Sequence, residues 1–73
     1  MNTINRIEMN EDDIKSFNDD NINKLFINDD DLELISIEIN DHIFSIDRES
    51  NYYIHDELIN KDKFYNLLEL NQF

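Results

Sequence analysis

The run DDNINKLFINDD, starting at Asp19, sets Asp19, Asn21 and Asn23 at alternate positions. That is the spacing with which an EF-hand loop offers its first three oxygen ligands to calcium. The rest of the pattern fails. The sixth position, where such a loop bends sharply on a glycine, is Lys24, and the twelfth, where a glutamate binds through both oxygens, is Asp30. A cation in the glycine's place also opposes binding of another cation. A capped, solvated polar turn accounts for these residues, and no metal site is expected. His42 and His55 lie in different expected elements without metal-ligand spacing, and no H-E-x-x-H arrangement is present. Carboxylate pairs fit for acid–base work can be drawn anywhere in a chain with eighteen acidic residues, so none singles itself out. A 73-residue domain also has scant room for a water-excluding pocket of roughly a few hundred Å³. The expectation is an interaction protein without a cofactor, not an enzyme.

The charge carries more information than any motif. Eighteen acidic residues against six basic ones leave a formal charge of −12. Direct binding to nucleic acid or to an anionic membrane surface is therefore disfavoured, and a positively charged partner is the natural complement. Twelve Asn and twelve Ile suggest an AT-rich coding sequence, but the same bias should have raised lysine, and only Lys15, Lys24, Lys61 and Lys63 are present. Solubility needs a net charge of only about 2–8 in a small domain. The excess is also localised. Residues 1–10 and 58–73 balance three acidic against three basic side chains, whereas residues 11–57 hold fifteen acidic side chains against Lys15, Lys24 and Arg48. A one-signed field of that kind destabilises the folded state through self-repulsion, which calls for a functional reason. Cysteine is absent, so there is no disulfide framework, and a cytoplasmic, reducing compartment fits. No long apolar run and no basic-then-apolar leader is seen, which argues against membrane spanning and secretion.

The elements that must position this charge are legible in outline. Apolar residues make up 40% of the chain, enough for one packed α+β domain over residues 1–73 rather than a disordered acidic tail. Without Gly or Pro, turns must be made by Asn and Asp. Asn10 ahead of Glu11, Asp12 and Asp13 predicts an N-cap with an acidic first turn, and a short helix near 11–18. The segment NDDN at 18–21 is a poor helix interior, so a second helix or turn is placed near 20–27. The clearest signal is INDDDLELISIEINDHIFSID from Ile27, where Ile35, Ile37 and Ile39 alternate with polar residues at the strand period. Strands near 32–39 and 42–47, joined by a two-residue turn at Asn40–Asp41, pair Ile39 with His42, Ile37 with Phe44 and Ile35 with Ile46. One face is then Ile35, Ile37, Ile39, Phe44 and Ile46. The other carries Ser36, Glu38, Ser45 and Asp47 with Ile43 and forms an acidic outer face. Residues 51–55 are β-prone and could add a third strand. Asn60 caps a helix near 61–71 whose Phe64, Leu67 and Leu68 can cover the sheet. Residues 3–8, TINRIE, fit a strand or a helix equally well.

In size, acidity, helix–hairpin–helix order and segments such as ISIEINDHIFSI, the chain resembles small acidic DNA-mimic inhibitors carried by phages and other mobile elements. These include some anti-CRISPR proteins and inhibitors of restriction or repair enzymes. The resemblance implies a protein-binding inhibitor of a basic nucleic-acid-binding protein, such as a nuclease or CRISPR effector, acting in the cytoplasm of an infected or host cell. Duplex DNA presents one charge per roughly 1.7 Å of axis, and carboxylates held on a hairpin and its preceding turns can compete for the Lys and Arg arrays that bind it. The contact set expected on this basis is Asp29, Asp30, Asp31, Glu33, Glu38, Asp41, Asp47 and Glu49, supported by Asp19 and Asp20. Tyr52 and Tyr53 join it because adjacent strand residues point to opposite faces and aromatics are enriched where partners bind. With Tyr65 and Phe73 they exceed what one small core needs. The alternative is an antitoxin-like, immunity-like or subunit module docking through the Tyr and Leu surface of residues 52–73. The apolar side chains Leu58, Leu70 and Phe73 also permit a homodimer.

Overall fold

The computed structural model describes residues 4–71. It is an α+β domain built on one five-stranded mixed sheet in the order β1 (Arg6–Met9), β2 (Leu34–Ile39), β3 (His42–Asp47), β4 (Tyr52–Ile54), β5 (Glu57–Ile59). A 3₁₀ helix, Glu11–Ser16, and helix α1, Asp19–Asn28, lie between β1 and β2, and helix α2, Lys61–Leu70, follows β5. β1 runs parallel to β2 and every other pairing is antiparallel. No described helix is long and apolar enough to cross a membrane. Phe73 lies outside the described residues, as does Thr3 of the TINRIE segment.

The β2–β3 hairpin forms in the register that alternation predicts, with Ile35 opposite Ile46, Ile37 opposite Phe44 and Ile39 opposite His42. Asn40 and Asp41 take φ of 51° and 64°, the paired positive angles of a type I′ turn that matches strand twist. The same device recurs where the sequence shows no strand signal. His55 and Asp56, at φ 50° and 67°, turn β4 back into β5. β5 was not expected, because Leu58 and Ile59 give too short an apolar run and His-Asp is not a familiar turn pair. β2 begins at Leu34 rather than near 32, since Leu32 is buried as the anchor of the preceding loop.

The helices differ from the sequence reading in kind more than in place. Asn10 does cap, accepting from the Asp12 amide at 3.0 Å while Asp13 reaches back to the Asn10 amide. The helix it starts is 3₁₀ and stops at Ser16, because Asn18 must return to extended backbone to cap α1, accepting from the Asn21 amide at 3.0 Å. NDDN is thus a helix start, with Asp19 and Asp20 in the favourable first turn, and α1 begins at Asp19 rather than Asp20. β1 settles the undecided segment. Ile7 and Met9 turn inward on a strand whose partner, β2, lies a whole helical crossover away, so no local pattern selects it.

The core occupies one face of the sheet. Ile35, Ile37, Ile39, Phe44 and Ile46 are buried there against Phe17, Ile22 and Phe26 from the N-terminal helices and Phe64 and Leu68 from α2. Phe64, fully buried, is the meeting point: its ring stands edge-on to Phe44 at 5.6 Å and lies 6.0 Å from Phe17 and 5.1 Å from Tyr52. Such aromatic pairs add about 0.5–1.5 kcal/mol each beyond the area they bury. Replacing Phe64 by Ala should cost about 3–5 kcal/mol, comparable with the whole margin of about 3–5 kcal/mol available to a core of this size. Circular dichroism at 25 °C should therefore show the variant largely unfolded.

Candidate functional site

The open face of the sheet, opposite the core, is where the hairpin's polar residues project. It carries Ser36, Glu38, Ser45, Asp47 and Ile43, as strand alternation predicts, so its acidic residues are interrupted. Ser36 and Ser45 face each other across β2 and β3 and are both buried. Arg6 of β1 donates to the Ser36 hydroxyl at 2.8 Å, and Tyr53 of β4 lies opposite Ser45. The centre of this face is therefore hydroxyl, tyrosine and aliphatic, with Leu34 and Ile43 beside it, and the carboxylates stand around its rim.

The rim divides into two groups. At one end an open depression of about 570 Å³ is lined by Glu33, Asp47, Glu49 and Asp56 around Leu34 and Tyr53, with Arg48 on its wall as well. At the other, a depression of about 720 Å³ brings Glu38 and Asp41 together with Glu8 and Glu11. Arg6 sits in this second depression and pairs with Glu8 at 3.2 Å, which dilutes its negative charge. The structure thus brings Glu33, Asp47, Glu49 and Tyr53 into one depression, with Asp29, Asp30 and Asp31 on the same loop as Glu33. Glu38 and Asp41 belong to the other depression. Asp19, Asp20 and Tyr52 lie on neither.

The loop from Asp29 to Glu33 is held from behind by one side chain, Arg48. Its Nε donates to the Leu32 carbonyl at 2.8 Å, and Nη2 donates to the carbonyls of Phe26, at 3.0 Å, and Asp29. The guanidinium carbon stands 5.3 Å above the centre of the Phe26 ring, and the Arg48 amide donates to the Glu33 carbonyl at 3.1 Å. α1 has no basic residue in its last turn, so Arg48 supplies from a distant turn the positive charge that a helix C-terminus favours. On the other side Asn5 accepts from the Glu33 amide at 2.9 Å and donates its side chain to the Asp31 carbonyl at 3.2 Å. Asp29 Oδ1 accepts the Asp31 amide at 3.0 Å, closing the turn, and Leu32 is buried beneath it. The backbone is immobilised while Asp29, Asp30, Asp31 and Glu33 remain exposed. Arg48 contacts carbonyl oxygens and not these carboxylates. Among the described residues the ion pairs are Arg6 with Glu8 and Lys61 with Asp19, so none neutralises the loop.

Asp47 organises the β3–β4 turn. Oδ1 accepts the amides of Glu49 and Asn51, each at 2.9 Å, and Oδ2 accepts from the Asn51 side chain at 3.1 Å and the Tyr53 hydroxyl at 2.8 Å. Partial burial alone would push its carboxyl up, but these donors together hold it below the usual carboxylate range. Its oxygens are thus engaged internally, while Glu49 beside it is free and exposed.

Asp19 is drawn into the interior in the same way. Its Oδ1 accepts from the hydroxyls of Tyr52, at 3.1 Å, and Tyr65, and its Oδ2 meets Lys61 Nζ at 2.8 Å. Burial opposes the charged form, yet Lys61 and the two phenols outweigh it and lower the Asp19 carboxyl. Burial, with the Asp19 charge and hydrogen bond beside it, pushes the Tyr52 and Tyr65 phenols up. This node joins the start of α1 to β4 and to the first turn of α2. Its members fasten the helices to the sheet, whereas Tyr53 faces the open side.

Arg48 and Asp56 escaped the sequence reading. Nothing local marks an arginine whose acceptors lie sixteen to twenty-two residues away. The only available signal was that Arg48 stands alone in an acidic stretch from Asp29 to Glu57. Comparison with protein-family models, curated proteins and solved structures gives no match. The chain's own geometry carries the functional reading.

Two outcomes are expected. Arg48→Ala should lower stability by about 1–3 kcal/mol, the usual consequence of removing a charged donor from several acceptors. Amide hydrogen exchange should then show loss of protection at Leu32 and Glu33 with the core strands still protected. Asp19→Asn should cost about 1 kcal/mol near pH 7, discounted for partial exposure. Because the folded Asp19 carboxyl is depressed, its contribution is present above the unfolded value of about 3.9 and is lost as pH falls through the lower folded value. The stability gap between wild type and Asp19→Asn in urea titrations should therefore close below about pH 4.

Proposed function

We propose that the chain is a protein-binding inhibitor of a nucleic-acid-binding enzyme, presenting its carboxylates in place of a nucleic-acid backbone. The observation that carries this reading is the Asp29–Glu33 loop. Its backbone is fixed by Arg48 and Asn5, its carboxylates are exposed, and no cation among the described residues pairs with them. Fixed charges lose little conformational freedom on meeting a Lys and Arg array, so the electrostatic gain is not consumed in ordering them. The same end of the molecule adds Glu49 on the adjoining turn and Tyr53 within the depression, an exposed charge and an aromatic that suit a protein partner. The contact set centres on Asp29, Asp30, Asp31, Glu33, Glu49 and Tyr53. Glu38 and Asp41 form a flanking patch, Asp47 positions Tyr53 and Glu49, and Asp20 remains exposed on the helix side.

Docking through the C-terminal Tyr and Leu surface has less to support it. The hydroxyls of Tyr52 and Tyr65 bind Asp19 and Leu68 is buried, which leaves Leu58 and Leu70 as exposed aliphatics.

The immobilised chain, incubated with host-cell lysate at about 50 mM salt, should retain nucleic-acid-binding proteins that duplex DNA displaces and that elute as salt is raised toward about 200 mM. The variant Asp30→Lys/Asp31→Lys should retain none of them, while its circular dichroism stays that of the wild type, because both side chains are exposed and the bond from the Asp31 amide to Asp29 Oδ1 is kept. Retention that is flat with salt, indifferent to DNA or unaffected by the reversal would sink the proposal.

A further inference from the structure

His42 and His55, thirteen residues apart in sequence, meet at one end of the sheet. His42 follows the Asn40–Asp41 turn and His55 opens the His55–Asp56 turn. The two turns lie side by side because β3 and β4 are paired and the His55 amide donates to the Ile43 carbonyl at 3.0 Å. Both side chains are exposed, His42 Nδ1 stands 3.0 Å from His55 Nε2, and the rings are inclined at 60°. Two imidazole nitrogens this close cannot direct lone pairs at each other, so one ring donates its N–H to the other. A metal ion bound by both nitrogens would take the place of that proton.

The geometry points to a two-imidazole binding site for a late first-row divalent cation, of the zinc, copper and nickel class. Nitrogens bound tetrahedrally at about 2.0–2.1 Å lie about 3.3 Å apart, so a small outward rotation of either exposed ring admits the ion. Imidazole selects these metals over calcium and magnesium, which prefer oxygen. The charge of −12 raises the local concentration of any divalent cation, and the exposed position spares the site a desolvation cost. Among the described residues no third His, Cys, Asp or Glu joins the pair in a preformed ligand set. The bound ion would therefore keep open positions for water or for a ligand from another molecule. This site is separate from the Asp29–Glu33 loop and does not depend on the inhibitor reading.

The test is a titration of ¹⁵N-labelled protein with zinc chloride, following the histidine ring nitrogens by NMR and the affinity by calorimetry. Saturable binding is expected, with His42 Nδ1 and His55 Nε2 shifting together and magnesium chloride leaving both unmoved. His42→Ala, and His55→Asn, which tolerates the positive φ of that position, should each weaken zinc binding at least about tenfold. Undiminished affinity in either variant would mean that surface carboxylates hold the ion. That result, unmoved ring nitrogens at saturation, or the absence of saturable binding overturns the site.

Discussion

One guanidinium ties together three parts of the chain that local sequence leaves independent. Arg48 closes the C-terminus of α1, fixes the acidic loop that follows and fastens both to the β3–β4 turn, through carbonyl oxygens and the face of Phe26. A planar fork of donors suits this task, since several carbonyls can be met at once with little further loss of freedom, which a lysine could not match. The acceptors are uncharged in net terms, so the carboxylates around them remain available. Had the same arginine paired with Asp29 or Asp31, the loop would be ordered but neutralised. The strongest concentration of charge in the chain thus has its backbone held in place while its carboxylates form no ion pair among the described residues.

A second polar node does the corresponding work at the other end of α1. Asp19 gathers two phenols and an ammonium, joining α1, β4 and α2 around Phe64. Partly buried carboxylates of this kind are tolerated because every oxygen has a donor, and no buried side-chain polar atom among the described residues lacks a partner. Of the fifteen acidic residues between positions 11 and 57, Asp19 and Asp47 alone are partly withdrawn from solvent, and each anchors a turn or helix. The other thirteen are exposed, so self-repulsion acts mostly through water, where it is screened and weak. That arrangement lets a small core carry a charge of −12.

The legible parts of the fold are those where neighbours in sequence are neighbours in space. The hairpin from Leu34 to Asp47, its register and its inward isoleucines follow from alternation and one turn, and the Asn10 and Asn60 caps follow from side chains that bond amides two or three residues on. β1 and β5 were harder for opposite reasons. β1 pairs in parallel across a helical crossover, and β5 is three residues behind a turn made by His-Asp. Of the expected contact residues, Asp29, Asp30, Asp31, Glu33 and Glu49 are exposed and near one another along the chain or around one depression. Asp19 and Tyr52 are bound to each other, which adjacency in sequence could not reveal across thirty-three residues.

By itself the sequence determined an α+β domain, the central hairpin with its buried face and the confinement of net charge to residues 11–57, because composition, alternation and capping act locally. Only the tertiary structure decided which carboxylates stay free and which become internal ligands, that Ser36 and Ser45 are buried on the open face, and that His42 and His55 face each other. Those outcomes depend on donors such as Arg48, Arg6, Lys61 and the tyrosines arriving from distant segments. A carboxylate's role is set by which donor reaches it in three dimensions, and one-dimensional spacing does not carry that information.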